Sequence, residues 1–155
     1  MSVDGEGLDY VDLDDDGPDD VDERDYVDHD ATEPGGGEHR PSLAYGSVDE
    51  FVRDYLRHTY KRSLDPRNRR WAPDWWRYDE AVIRLDALWR SWEHLRQDPG
   101  TGMSTWLLQH ADPQMAALFD KDGPFAAAPE VQTTRGEPLP YEPPPAGMFP
   151  DEREQ

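Results

Sequence analysis

The sequence predicts an all-α fold: a small bundle of three to four helices with a tryptophan-rich core, a disordered acidic N-terminal arm, and an extended proline-rich C-terminal tail. Three observations predict it. Charge is segregated, with 16 Asp/Glu against 2 Arg in residues 1–40 but 13 acids against 12 bases in residues 43–125. All six tryptophans lie between Trp71 and Trp106. Within residues 43–125 the apolar positions recur at spacings of three and four, the period of an amphipathic helix, and proline and glycine interrupt them. The expected organisation is an arm and linker over 1–42, a helical domain over 43–125 and a tail over 126–155.

The arm comes first. A segment with net charge −14 and few large apolar residues cannot bury enough surface to offset the entropy of ordering it, so residues 1–42 are expected to be disordered. DYVDLD at 9–14 and DYVDHD at 25–30 echo each other. Two copies of six residues do not make a structural repeat; they read as low-complexity drift or as two short docking motifs. Asp12, Asp14, Asp16, Gly17 and Glu23 match the spacing of a calcium-binding loop. Asp19 stands where such a loop packs an aliphatic side chain, Pro18 stiffens its middle, and no amphipathic helix flanks it, so tight calcium binding is not expected and loose binding by the polyacidic segment is the better expectation. PGGGEHRPS at 34–42 reads as a flexible linker.

The first helix starts at Ser47, which stands three residues before Glu50 in the spacing of a capping box. Val48, Phe51, Val52, Tyr55, Leu56, Thr59 and Tyr60 form its stripe, and Asp65-Pro66 is expected to end it. Ala72-Pro73-Asp74 leads into the longest helix, with Asp74 as N-cap and Tyr78, Ala81, Val82, Leu85, Leu88, Trp89, Trp92 and Leu95 as seam. Glu80 with Arg84 and Asp86 with Arg90 are acid-before-base pairs one turn apart. Asp98-Pro99-Gly100 stops that helix. Ser104 is expected to cap a short helix carrying Trp106 and Leu107. Asp112-Pro113 then reads as a fresh start, with Met115, Leu118 and Phe119 on the apolar face. Lys121-Asp122-Gly123-Pro124 turns the chain. Residues 136–150 hold six prolines, so the tail is extended, and Leu139, Tyr141, Met148 and Phe149 can lie back across the helices.

The stretch RRWAPDWWRYDEA at 69–81 admits two readings. Indoles among arginines suit a surface on which single-stranded bases stack, and Arg57, Lys61, Arg62, Arg67, Arg69 and Arg70 lie just before it. The same indoles also suit a core. A domain of about 80 residues is marginal. Each buried tryptophan hides roughly 150–250 Å², or some 4–6 kcal/mol gross at about 25 cal/mol per Å². Trp89 and Trp92 share the helical seam and belong to the core; Trp71, Trp75 and Trp76 stay open. The acidic arm opposes phosphate binding, although it could instead mimic a phosphate array.

Other chemistry has little support. The absence of cysteine excludes disulfides and thiolate metal sites. No apolar run is long enough to span a membrane, and the acidic N-terminus does not resemble a secretory signal, so a cytoplasmic protein is expected. His58 and His94 fall on outer helix faces, and His110 sits near Asp112, which is more useful as a cap. With no nucleophile–base pair in context and no phosphate-cradling glycine loop, no catalytic residue, cofactor or metal is assigned and an enzyme is not expected.

RRWAPDWWRYDEAVIRLDALWRSWEHLR, MSTWLLQHADPQMAALFDKDGPF and EPLPYEPPPAGMF together resemble the actinobacterial family known as domain of unknown function 4913. The resemblance runs from Tyr45 to Phe149 and rests on the combination of W-x-x-x-W-W, E-A-x-x-R-L, L-W-x-x-W-E and G-P-F. It implies an accessory protein of plasmids, integrative elements or phages in high-GC bacteria, and Arg over Lys at 14 to 2 is in keeping with such a genome. It also implies a structural zinc site in relatives, which carry Cys, His and Cys near the positions of Ala72, Tyr78 and Ala128. This chain lacks all three, so packing is expected there instead of zinc.

The expected function is a non-enzymatic interaction module that binds a protein partner through Arg69, Arg70, Trp71, Trp75, Trp76 and Arg77, using whichever indoles remain exposed. The alternative is nucleic-acid binding by residues 57–77 or DNA mimicry by the arm.

Overall fold

Helix α1 begins where the capping box places it. Ser47 is extended (φ −152°, ψ 162°) and its Oγ accepts the Glu50 N–H at 3.1 Å. The reciprocal bond reaches one residue further back: the Glu50 carboxylate accepts the Gly46 N–H at 2.6 Å. In the computed structural model, which describes residues 41–155, α1 runs continuously through Val48–Phe51, a π-helical turn Val52–Leu56, and Arg57–Thr59. Val48, Phe51, Val52 and Leu56 are buried. The arm, its repeated hexapeptide and the calcium-loop pattern lie outside the described residues.

Asp65-Pro66 does not end α1; the helix stops at Thr59. Tyr60 leaves helical geometry (φ −98°, ψ 60°), which buries its ring and lets its hydroxyl donate to Asp112 Oδ1 at 2.7 Å. That tertiary bond decides the boundary before proline can. Asp65 instead organises a turn, its carbonyl accepting the N–H groups of Asn68 and Arg69 at 2.9 and 2.7 Å.

Asp74 is not the N-cap of the long helix. It precedes a 3₁₀ turn, Trp75–Arg77, and its side chain pairs with Arg77 at 3.2 Å. Helix α2, Asp79–Leu95, starts one turn later, from an extended Tyr78. The tight turn leaves Trp75 fully buried ahead of the helix. The predicted seam holds: Ala81, Leu85, Leu88, Trp89 and Trp92 are buried, with Tyr78, Val82 and Leu95 half-buried against the core. Both expected pairs form, Glu80–Arg84 at 2.9 Å and Asp86–Arg90 at 2.8 Å.

Asp98 closes the reversal after α2 by accepting the Gly100 N–H at 2.9 Å and the Thr101 hydroxyl at 2.9 Å. Gly102 then sits against the end of α2: a Cβ there would lie 1.9 Å from the Leu95 carbonyl oxygen, so only glycine fits. The two short helices expected from Ser104 and Asp112-Pro113 are one, α3. It runs through Gly102–Thr105, a π-helical turn Trp106–Ala111, and Asp112–Phe119. Ser104 lies inside it. Ala111 is helical (φ −69°, ψ −54°), so Asp112-Pro113 does not start a new element. A proline ring inside an α-helix clashes with the preceding turn and removes a donor. The π turn, closed by the Asp112 N–H on the Leu107 carbonyl, widens that point and carries the helix past Pro113.

Residues 120–155 return across this three-helix body. Phe125 is buried, edge-on to Trp71 (5.3 Å, 67°) and Tyr78 (5.3 Å, 87°). Ala72 and Ala128 are also buried, so the positions of Ala72, Tyr78 and Ala128 are filled by packing. Beyond them the chain is extended, and Leu139 is fully buried in the same core as the helices. There is no strand among the described residues, only an isolated bridge between Asp65 and Arg69. No described helix is long and apolar enough to cross a membrane.

Candidate functional site

The six indoles divide sharply. Trp71, Trp75, Trp89 and Trp106 are at most 2% exposed, and Trp92 is also buried; Trp76 alone keeps part of its ring at the surface. Of the predicted partner-binding residues, Trp71 and Trp75 therefore present no face to a partner while the tail is docked. Trp71 packs on Phe119 and Phe125, and its Nε1 donates to the Pro140 carbonyl at 2.9 Å. Trp75 stacks on Phe149 (5.3 Å, 23°).

The arginines divide as well. Arg70 is structural: its Nε and Nη2 donate to the carbonyls of Phe125 and Ala128, and its N–H donates to the Phe119 carbonyl at 2.9 Å. Arg69 lies over the Phe119 ring and donates to the Ser63 carbonyl at 3.0 Å. Arg77 is exposed, with its guanidinium 4.9 Å from the Trp76 ring centre. Arg57 is taken by the Leu139 carbonyl at 2.8 Å. The basic stretch 57–77 thus presents fewer free guanidiniums than its sequence suggests. Lys61 and Arg67 are exposed on the loop after α1, and Arg67 and Arg69 rim a shallow basin with Phe119, Asp120 and Lys121.

Trp76 and Arg77 adjoin an apolar surface that the sequence does not single out. Trp76, Val82, Ile83, Met148 and Phe149 line one shallow depression, bordered by Asp79. Ile83 is 69% exposed and Met148 44%, and the two lie in one depression, not as isolated side chains. The two chain segments meet because the tail end is latched: the Glu152 N–H donates to the Gly46 carbonyl at 2.7 Å, and Glu152 pairs with Arg90 at 2.9 Å. Arg153 bonds Asp151 and Glu50, holding the Asp151 carboxyl below its ordinary range. The signal for Ile83 was an aliphatic residue off the seam between Val82 and Arg84; nothing in the sequence placed Met148 beside it.

A second overlooked residue is Glu93, the one buried charged side chain among the described residues. Its carboxylate accepts the N–H groups of Ala44 and Tyr45 at 3.1 and 2.8 Å and pairs with Arg96 at 2.7 Å. This fixes Ala44 and Tyr45 to α2, and the Trp89 indole adds a bond to the Tyr45 carbonyl at 3.1 Å. The signal was an acid beside Trp92, three residues before an arginine. No group of three or more His, Asp or Glu side chains gathers in metal-binding geometry among the described residues.

Residues 45–145 match the family described as Domain of unknown function (DUF4913). The chain belongs to the DUF4913 family. No curated protein and no solved structure matches it. The DUF4913 match takes in all three helices and the tail as far as Pro145, including the segment that covers Trp71. Met148, Phe149 and the Asp151–Arg153 latch lie beyond the matched residues.

Proposed function

We propose that this DUF4913 protein is a non-enzymatic interaction module, an accessory factor of a bacterial mobile element, acting in the cytoplasm on a protein partner. The observation that carries the interaction reading is the apolar depression of Trp76, Val82, Ile83, Met148 and Phe149, with Arg77 stacked at its edge. Aromatic and arginine side chains beside exposed aliphatic ones are the residue types that dominate interface energetics. Burying Ile83 and Met148 against a partner would stabilise a complex by roughly 1.5–3 kcal/mol for each side chain covered. The mobile-element role rests on the family resemblance alone.

The test is affinity capture from the native host with wild type, Ile83→Asp and Arg77→Ala. All three should fold alike, because these side chains are exposed. A partner captured by wild type and lost with Ile83→Asp supports this surface. A partner list that Ile83→Asp and Arg77→Ala leave unchanged rejects it.

A further inference from the structure

The tail is held in the manner of a bound peptide. From Leu139 to Glu142 its backbone is read by four partners. The Leu139 N–H donates to the Arg57 carbonyl at 3.0 Å, and Arg57 Nε donates back to the Leu139 carbonyl at 2.8 Å. Trp71 Nε1 donates to the Pro140 carbonyl at 2.9 Å and Trp76 Nε1 to the Glu142 carbonyl at 3.1 Å. The Glu142 N–H donates to the Pro73 carbonyl at 2.9 Å. Side chains add selectivity: Leu139 is fully buried, and the Tyr141 hydroxyl donates to Asp49 at 2.6 Å under the Arg57 guanidinium. Indole donors on the carbonyls of an extended chain, with one apolar side chain inserted, are how aromatic grooves recognise preformed proline-rich segments.

The same segment is bounded like a separable unit. Gly136 (φ +88°) and Gly147 (φ +80°) lie on either side of it in the left-handed region that favours glycine. A Cβ on either would meet nothing within 4 Å, so neither glycine is there to relieve packing. They are needed for the backbone turn at each end of the segment. Prolines at 138, 140, 143, 144 and 145 leave the strap few amide donors that need the protein.

We propose that the groove formed by Arg57, Trp71, Pro73 and Trp76 is a binding site for an extended proline-rich peptide of a partner protein. The preferred ligand carries an aliphatic residue between two prolines, followed by an aromatic residue, and the chain's own strap occupies the site in cis. A tethered occupant competes at an effective concentration of roughly millimolar, so a free peptide reaches the groove only when the strap is out.

The test uses the full chain with Leu139→Asp and Tyr141→Ala, which change the strap and none of the four groove residues, and a fluorescein-labelled peptide of native residues 134–150. The released variant should bind it saturably and at least tenfold more tightly than wild type, and the same peptide carrying Leu139→Asp should not bind. A folded variant that ignores the peptide overturns the proposal. A variant that does not fold shifts the decision to amide exchange in wild type. There the Leu139 and Glu142 amides should exchange at least tenfold faster than those of Leu85 and Leu88, through an opening of the strap alone. Equal rates overturn the proposal, because the strap then opens only when the whole body unfolds. A wild-type dimer joined by exchanged straps also overturns it, since the occupant is then a second copy.

Discussion

The six tryptophans form two groups that reach burial by different routes. Trp89, Trp92 and Trp106 lie on helices and turn inward onto α1 and the residues just before it: Trp92 packs on Tyr45, Phe51 and Tyr55, Trp106 packs on Phe51 and Tyr55, and the Trp106 indole donates to the Leu88 carbonyl at 3.1 Å. Trp71, Trp75 and Trp76 lie on a loop and a single 3₁₀ turn, and their covers come from the far end of the chain: Phe125, Pro140, Glu142 and Phe149. One group is aimed at the core by its place on a helical period, the other is closed over by the returning tail. Closure also satisfies the indole N–H of Trp71 and Trp76, whereas Trp75 and Trp92 find no acceptor among the described residues. An unpaired buried donor is a standing cost of about 1–3 kcal/mol, so each group carries one and neither is the better-solved half.

If both groups belong to one body, the comparison can be broken by single substitutions. The largest expected effect is Trp106→Ala, about 3–5 kcal/mol of destabilisation in urea unfolding, from lost burial and the cavity left behind. Leu139→Ala, a core residue supplied by the tail, should follow at about 2–5 kcal/mol. A loss below about 1 kcal/mol would show that the tail rests on the body without completing it. Glu93→Ala should lose about 1–3 kcal/mol, because the Ala44 and Tyr45 N–H groups lose their acceptor and Arg96 its partner.

High pH loads both parts of the molecule, because burial and the bond to Asp112 also raise the Tyr60 hydroxyl, so the difference between wild type and Tyr141→Phe isolates the tail. Burial first, then the hydrogen bond to Asp49, pushes the Tyr141 hydroxyl from its ordinary 10.0 up to about 12. Its neutral form is the one that docks. The contribution is therefore complete below pH 10 and lost as pH rises through about 12. Stability against urea should fall between those values, and Tyr141→Phe should flatten part of the fall. The smallest effect belongs to Ile83→Asp, within about 0.5 kcal/mol of wild type, because the side chain is exposed.

The helix-borne half was legible in the sequence because a period of 3.6 is a local property. The stripe from Val48 to Leu56 and the seam from Tyr78 to Leu95 are both present. Boundaries failed where a distant contact outweighed a local signal: Tyr60 turned out of α1 to reach Asp112, and the π turn carried α3 through Pro113. The candidate surface was legible only in part. Trp76 and Arg77 were on the expected segment, but the exposure of Ile83 next to Met148 depends on where the tail ends up. Trp71 and Trp75 looked available because they lie off any helical period and the residues that cover them, from Phe119 to Phe149, come much later in the chain. Periodicity carries no information at that range.

The central claim is that the tail shields the loop-borne indoles as fully as the helices shield their own. Incorporating 5-fluorotryptophan and recording the ¹⁹F solvent-isotope shift of each assigned resonance in the intact chain tests it directly. The account predicts an appreciable shift for Trp76 alone, with Trp71 and Trp75 as small as Trp89 and Trp106. Shifts for Trp71 and Trp75 that match Trp76 would contradict it, showing a helical body with a loose tail instead of one closed around its own C-terminus.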